Sequence, residues 1–359
     1  IYQLDKEENA NLLDTINIYV MPRINPDGAY VCQRNLRSAS MLYDGFSGNK
    51  DPNRHNLTLA YHEVRLYVRT VQLFDPVAEL DGHERQRSSN VADNQISTSW
   101  RYGSSQDMLD LQVDMIYSMF DAMEAVDLSA TWYDDRVNTT PGQNTRSYAG
   151  QQGRIHILME TMGNNFGLNM YERRVASHAS AVTGILNYLH ENAADVKAVI
   201  KAERDRIIED GKTYREDDPF VLQCTSVDAP QHYIEGEKIS LITGVKTPYS
   251  IPTKRIRNIT RSRIDPTAYV LPADLSNIDY ILNLMDMQGI AYRYIPDGAT
   301  LPLQQYIGTV EAADLAEEKT VTFLLEEKDL SFINENMQSE VEPGTFTVRI
   351  DNLKETFTV

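Results

Sequence analysis

Residues 77–84 read VAELDGHE and residues 154–160 read RIHILME, and these two stretches decide the fold. The apolar residues at the start of the first predict a short strand that ends in Asp81-Gly82-His83-Glu84. The second alternates apolar and polar residues, which predicts a strand with Glu160 at its end. Both stretches therefore place a titratable side chain at the end of a strand.

Apolar residues at helical spacing predict helices before, between and after these strands, over residues 57–74, 108–123 and 171–211. Strands that alternate with helices imply an α/β fold with a mixed, mainly parallel sheet flanked by helices. Ligands of such sheets bind beyond the carboxyl ends of the strands. We therefore expect a site at that edge, which contains His83 and Glu160.

Other segments complete the expected organisation. The apolar run 16–21 predicts a buried strand that leads into a turn, and the polar segment 131–153 predicts a long loop. Beyond residue 211 the pattern changes, which predicts three regions: a catalytic domain 1–211, a mixed α/β extension 212–308 and a smaller β-rich tail 309–359. Within these regions we expect a basic loop at 254–263, a helix at 274–289, and strands at 320–325 and 345–350 around a turn at 342–344.

Composition excludes some classes of function. The 359 residues carry a formal net charge of −18, which repels phosphate backbones and argues against a nucleic-acid partner. The chain shows no apolar run of the length that spans a membrane. The two cysteines, Cys32 and Cys224, cannot form a four-cysteine zinc site and do not indicate a compartment. The oligomeric state is not predicted.

Five short motifs occur in a telling order. They are Asn25-Pro26-Asp27-Gly28, an arginine-bearing loop with Arg34 and Arg37, Asp51-Pro52-Asn53-Arg54, Asp81-Gly82-His83, and Glu160 followed by the YERRV segment 171–175. This order, over about residues 12–195, resembles the zinc carboxypeptidase family typified by pancreatic carboxypeptidase A. The Glu-Thr pair at 160–161 and the YERRV segment look most like bacterial members.

The resemblance implies roles for these residues. His83 matches a zinc ligand, Glu160 the general base, and Arg37 the arginine that stabilises the oxyanion. Asn53 and Arg54 match the pair that grips the free carboxylate of the substrate, because a guanidinium suits a carboxylate.

Asp51 matches an aspartate that orients another zinc histidine. Tyr148 is preferred over Tyr133 as the phenol that covers the substrate. Thr145 and Arg146 are candidates for the specificity pocket, and an arginine there would favour acidic C-terminal residues. The alternative for Arg146 is an arginine that is exposed to solvent and lines no pocket.

The sequence departs from the family in two places. The family's D-L-N-R is Asp-Pro-Asn-Arg here, and the H-x-x-E motif that supplies two zinc ligands is absent upstream of the Asn25–Gly28 turn, where the family carries it. Since the chain begins at Ile1, we expect that motif to lie upstream. We therefore expect Zn²⁺ in the longer enzyme but weak or no binding, and no activity, in this chain.

The predicted function is hydrolysis of the C-terminal peptide bond of a peptide with a free C-terminus, by a secreted or periplasmic enzyme. Two alternatives are a non-catalytic carboxylate- or peptide-binding module and an N-acyl amino acid deacylase on a related fold. The tail that contains Glu342-Pro343-Gly344 is similar to the fibronectin type III-like module of some glycoside hydrolases.

Overall fold

A computed structural model places the chain in two compact units, Ile1–Arg293 and Tyr294–Val359. The structure describes residues 6–7, 10–30, 51–85, 90–99, 101–133, 142–163, 168–214, 219–240, 243–264, 266–296, 332–333, 339–340, 345–350 and 353–358. The predicted boundaries at residues 211 and 308 stay predictions.

The first unit contains helices and strands that alternate along its first two hundred residues. Its helices are α1 (Leu12–Thr15), α2 (Pro26–Tyr30), α3 (His62–Phe74), α4 (Gln106–Glu124), α5 (Thr145–Gln151), α6 (Tyr171–Glu191), α7 (Ala193–Asp210) and α8 (Ile278–Gln288). Its strands are β1 (Ala78–Arg85), β2 (Asn90–Val91), β3 (Asn94–Thr98), β4 (Ala130–Trp132), β5 (Ile155–Met162), β6 (Pro219–Ser240) and β7 (Lys246–Ile264).

The main sheet has four strands in the order β1-β5-β3-β4. β1 runs parallel to β5 and β3 runs parallel to β4, whereas β3 and β5 are antiparallel. The sheet is therefore mixed, as the alternation of strands and helices predicted. A second sheet, β2-β6-β7, consists mainly of the long antiparallel pair β6 and β7.

One face of the main sheet packs against helices to form the hydrophobic core. Alternate residues of β5, namely Ile155, Ile157 and Met159, are buried on this face and belong to one cluster with α4, α6 and α7. Helix α4 begins where the side chain of Ser105 accepts a hydrogen bond from the backbone of Met108. Gly184 lets α6 approach α4 closely, because a Cβ there would lie 2.4 Å from the Ser118 carbonyl oxygen.

A smaller hydrophobic cluster lies between α3 and the segment before it. It consists of Leu59, Ala60, Tyr61, Val64, Tyr67, Val68, Val71 and Tyr148. Helix α8 packs on this cluster through Leu284 and Met287, and the Gln288 side chain donates to the Asn56 carbonyl. The helices predicted at 57–74 and 274–289 are present over His62–Phe74 and Ile278–Gln288, and they lie in contact.

Three expectations from sequence are wrong. Residues 16–21 are extended but form no strand among the described residues; their side chains are half-buried or exposed, and Tyr19 stacks on Phe74. The segment 131–153 contains α5, which Asn144 caps through the Ser147 backbone. The basic run 254–263 lies inside β7 instead of a loop, because it pairs with β6.

The second unit is described only in short strands. β10 (Thr345–Ile350) pairs with β11 (Leu353–Thr358), and β8 (Phe332–Ile333) pairs with β9 (Ser339–Glu340). The strand expected at 345–350 is confirmed, whereas residues 320–325 and 342–344 lie outside the described residues. No described helix combines the length and apolar character that a bilayer crossing requires.

Candidate active site

The register of the main sheet brings the two predicted chemical residues together. His83 of β1 and Glu160 of β5 are direct partners in the parallel pair. Partnered residues of neighbouring strands project from the same face of a sheet. Both residues lie within their strands and not beyond them, since β1 continues to Arg85 and β5 to Met162.

This face, opposite the hydrophobic core, is polar and is called the polar face below. Alternation along each strand assigns its members. From β1 and β5 it receives Glu79, Asp81, His83, Arg85, His156 and Glu160 together with the apolar Leu158 and Met162, and from β3 it receives Gln95 and Ser97. A sheet with one apolar and one polar face positions its charged groups away from the core.

Asp81 is the centre of the hydrogen bonds on the polar face. Its Oδ2 atom lies 3.0 Å from His83 Nε2, 3.5 Å from His156 Nε2 and 3.1 Å from Thr145 Oγ1. Burial raises the pKa of Asp81, but the two imidazoles outweigh burial and hold this pKa well below its ordinary value. Asp81 is therefore a carboxylate that orients both imidazoles.

Thr145 joins Asp81 to the predicted carboxylate clamp. Its backbone nitrogen donates to Asn53 Oδ1 at 2.9 Å, and its hydroxyl lies 3.1 Å from both Asn53 Oδ1 and Asp81 Oδ2. Thr145 is thus the point of contact between three segments that lie far apart in sequence, namely the turn at 52–54, β1 and α5.

The clamp itself lies on a 3-10 turn, Pro52–Arg54. Asp51 caps this turn, because its Oδ1 accepts from the Asn53 backbone at 3.0 Å, and its Oδ2 lies 3.9 Å from Arg54 Nη1. Pro52 is the first residue of the turn, where a missing N–H costs nothing and a fixed φ is favourable. The proline in place of leucine is therefore compatible with presenting both Asn53 and Arg54.

Arg85 lies beside Glu160 on the polar face. Its guanidinium donates to the Glu160 carbonyl at 2.5 Å and to the Ala92 carbonyl at 2.5 Å. Burial lowers the pKa of Arg85 to about 10, against the attraction of Glu160 and Asp93. The guanidinium remains charged at neutral pH, so Glu160 has a cation close to it.

Not every predicted site residue joins this group. Tyr148 is 3% exposed in the cluster around α3, and its hydroxyl donates to Gln288; the structure does not bring it to Asn53 and Arg54. Arg146 is buried, donates to Ser97 Oγ on the polar face and lies 5.9 Å from the centroid of the Tyr133 ring. Arg34 and Arg37 lie outside the described residues.

Sequence reasoning missed the parts played by His156 and Arg85. The alternation along β5 was a signal for His156, because alternate residues of a strand lie on opposite faces of the sheet. His156 and Glu160 lie on one face of β5, and the buried apolar residues Ile155, Ile157 and Met159 lie on the other. A buried histidine on the polar face of a strand indicates a polar partner on a neighbouring strand. That partner, Asp81, could not be identified without the register of β1 against β5.

The residues at hand do not fit a catalytic zinc ion by themselves. Such a site needs three protein ligands and one open position. Among the described residues, no group of three His, Cys, Asp or Glu side chains is placed to hold a metal ion. The Nε2 atoms of His83 and His156 both lie toward the same oxygen of Asp81. No step of a reaction is therefore assigned to a metal here.

The chain is distantly similar to fungal carboxypeptidases. Carboxypeptidase 2 of Trichophyton equinum is 23% identical over 343 residues, which cover 88% of this chain and 57% of the relative. The probable carboxypeptidase 2 of Trichophyton verrucosum (strain HKI 0517) is 23% identical over 343 residues, covering 88% of this chain and 59% of the relative. Carboxypeptidase 2 of Trichophyton rubrum is 37% identical over 75 residues, which are 21% of this chain and 12% of the relative.

These relatives support a carboxypeptidase-like peptidase, and they are fungal, so the bacterial branch stays a prediction. The chain spans less than three fifths of the length of the first two. A fibronectin type III-like domain model matches residues 311–353, in agreement with the similarity noted in the tail. No solved structure matches the chain.

Proposed function

We propose that this chain carries the substrate-binding and base residues of a metallocarboxypeptidase, which removes the last residue of a peptide with a free C-terminus. Asn53 and Arg54 bind the terminal carboxylate, and Glu160 takes the proton of the attacking water and passes it to the leaving amine.

The observation that carries the proposal is the link between the clamp and the polar face. Thr145 contacts Asn53 on one side and Asp81 on the other, while His83, two residues from Asp81, is the register partner of Glu160. A carboxylate-binding pair and a general base are therefore anchored to adjacent strands. A module that only bound peptides would need the clamp but not a glutamate on the neighbouring strand.

A zinc ion is part of this proposal through His83, and it would supply a Lewis acid when bound. The further ligands that a catalytic zinc requires are not among the described residues. The roles of Asn53, Arg54 and Glu160 can be tested without it, because carboxylate binding and proton transfer belong to this chain's own side chains.

The clamp is tested with N-acetylated tripeptides that carry either a free C-terminal carboxylate or a C-terminal amide. Arg54→Ala should weaken binding of the free acid by about 1.5–3 kcal/mol, because a charge-assisted contact is lost, and should leave the amide nearly unchanged. Titration calorimetry measures both affinities. Arg69→Ala, an exposed position of α3, is the matched control. Equal losses for the acid and the amide would rule the clamp out.

A further inference from the structure

Thr145 makes contacts with Asn53 and Asp81 that its place at the start of a helix does not require. It is the first residue of α5, after the cap Asn144, and a threonine there has no special value for the helix. Its backbone nitrogen and its hydroxyl both contact the Asn53 carboxamide, and the hydroxyl also contacts Asp81. These contacts span 92 residues toward Asn53 and 64 toward Asp81.

The proton of the hydroxyl can be assigned by counting donors. A threonine hydroxyl donates one hydrogen bond, and two oxygens lie 3.1 Å from it. The Asn53 oxygen already accepts from the Thr145 backbone, whereas Asp81 is a carboxylate, which is the stronger acceptor. The hydroxyl therefore donates to Asp81 and fixes the position of α5 against β1.

The same contacts fix which way Asn53 points. Since its oxygen faces the Thr145 backbone N–H, its amide nitrogen is directed to the other side of the planar carboxamide. An amide nitrogen is the donor that a substrate carboxylate requires. His156 helps to hold Asp81 in place, because its buried Nε2 atom lies 3.5 Å from the Asp81 oxygen that Thr145 contacts.

We propose that Thr145 is a positioning residue for carboxylate recognition: its hydroxyl donates to Asp81 and fixes the first residue of α5 against β1, so that the Thr145 backbone N–H holds the Asn53 amide in the orientation that binds the C-terminus of a peptide. This inference rests on the proposed function and adds to it a residue that acts through Asn53. It also gives Thr145 a role other than contact with the substrate side chain.

The experiment compares the affinity of the 359-residue chain for N-acetylated tripeptides with a free C-terminus and for their amides. Thr145→Val and Thr145→Ala both remove the hydroxyl, and each should lower the preference for the acid about tenfold, the size of one lost hydrogen bond. Thr145→Ser should retain the preference. Thr183→Val, an exposed threonine of α6, should retain it as well.

A double-mutant cycle separates positioning from general damage to the fold. In an Asn53→Ala background, Thr145→Val should cause no further loss of acid preference, because Thr145 acts through Asn53. Equal acid preference in the wild type and in the folded Thr145→Val and Thr145→Ala variants would overturn this inference alone. Additive losses in the cycle would overturn it too. A wild-type chain that binds acid and amide equally would overturn the proposed function as well.

Discussion

Glu160 is the residue whose chemistry defines the proposal. It is half-buried, it is the register partner of His83, and its backbone carbonyl accepts from Arg85. The carboxylate therefore lies on a strand held from two sides, and its position does not depend on a loop. A base held on a regular element keeps its distance to a bound substrate better than one on a loop.

Glu160→Gln should abolish hydrolysis and spare binding, in a protein that carries these residues and cleaves such peptides. Glutamine keeps the shape of the side chain but cannot take a proton, so kcat should fall by about 10²–10⁴, while the affinity for the free-acid peptide stays close to that of the wild type. Steady-state kinetics and calorimetry measure the two quantities. Glu191→Gln, at the exposed end of α6, is the control. Unchanged turnover would place the base elsewhere.

The sequence was sufficient to select Glu160, His83 and the Asn53-Arg54 pair as candidates and to predict that the first two lie on neighbouring strands, because their motifs are local. It was insufficient for Asp81 as a centre, since that role depends on His156 and Thr145, which lie 75 and 64 residues away. Nothing local indicates that these two distant side chains approach the Asp81 carboxylate. Contacts of this kind follow from the register of β1 and β5, which neither strand encodes alone.

At the scale of elements, prediction succeeded where a segment is amphipathic. Helix α3 buries Val64, Val68 and Val71 on one side, so its period is visible in the sequence. Helix α5 was missed because it is seven residues long and its buried face includes polar residues such as Arg146 and Ser147. The strand predicted at residues 16–21 is wrong, because an apolar run forms a strand only where a neighbouring strand pairs with its backbone.

Helix α7 is tied to the start of α4 by a buried carboxylate. Glu203 is 2% exposed, accepts from the Ser105 backbone at 3.2 Å and pairs with Arg206 at 2.9 Å. Burial raises the pKa of Glu203, but the hydrogen bonds from Arg206 and Ser105 outweigh burial, so the pKa is lowered. A lowered pKa in the folded state means that ionised Glu203 stabilises the fold.

Glu203→Gln should therefore destabilise the first unit in a pH-dependent way. The stabilising contribution is complete above the carboxyl pKa of the unfolded chain, about 4.3, and disappears as the pH falls through the lower folded value. We expect a loss of about 1–3 kcal/mol at pH 7 that shrinks below pH ~4. Urea unfolding followed by circular dichroism at several pH values measures it.

The control for this prediction is Glu209→Gln. Glu209 pairs with Lys212 at 2.9 Å, but its side chain is 71% exposed, and solvent weakens such a pair. A penalty for Glu203→Gln that stays constant from pH 3 to pH 7 would contradict the assignment of the effect to its charge.

At the scale of the whole molecule, the net charge of the chain does not draw the proposed substrate to the site. The net charge of −18 repels a peptide carboxylate at long range. On the polar face, the guanidinium groups of Arg85 and Arg146 lie among the carboxylates of Glu79, Asp81 and Glu160. Recognition of a free C-terminus therefore relies on short-range contacts, which salt screens less than it screens the field of the surface.

The last prediction concerns metal. The described residues contain no group of three ligands for a metal ion. No H-x-x-E motif precedes the turn at residues 25–28, and the one in the sequence, His232-Tyr233-Ile234-Glu235, lies far beyond His83 along the chain. One imidazole cannot fix a tetrahedral zinc site with affinity and an open position. This 359-residue chain, purified, loaded with Zn²⁺ and then dialysed, should therefore retain much less than one zinc per chain, and His83→Ala should retain as little as the wild type. Elemental analysis measures both. One tightly held zinc per wild-type chain that His83→Ala removes would show that these residues complete the site by themselves, and the search for its other ligands would begin with His62 and Glu63.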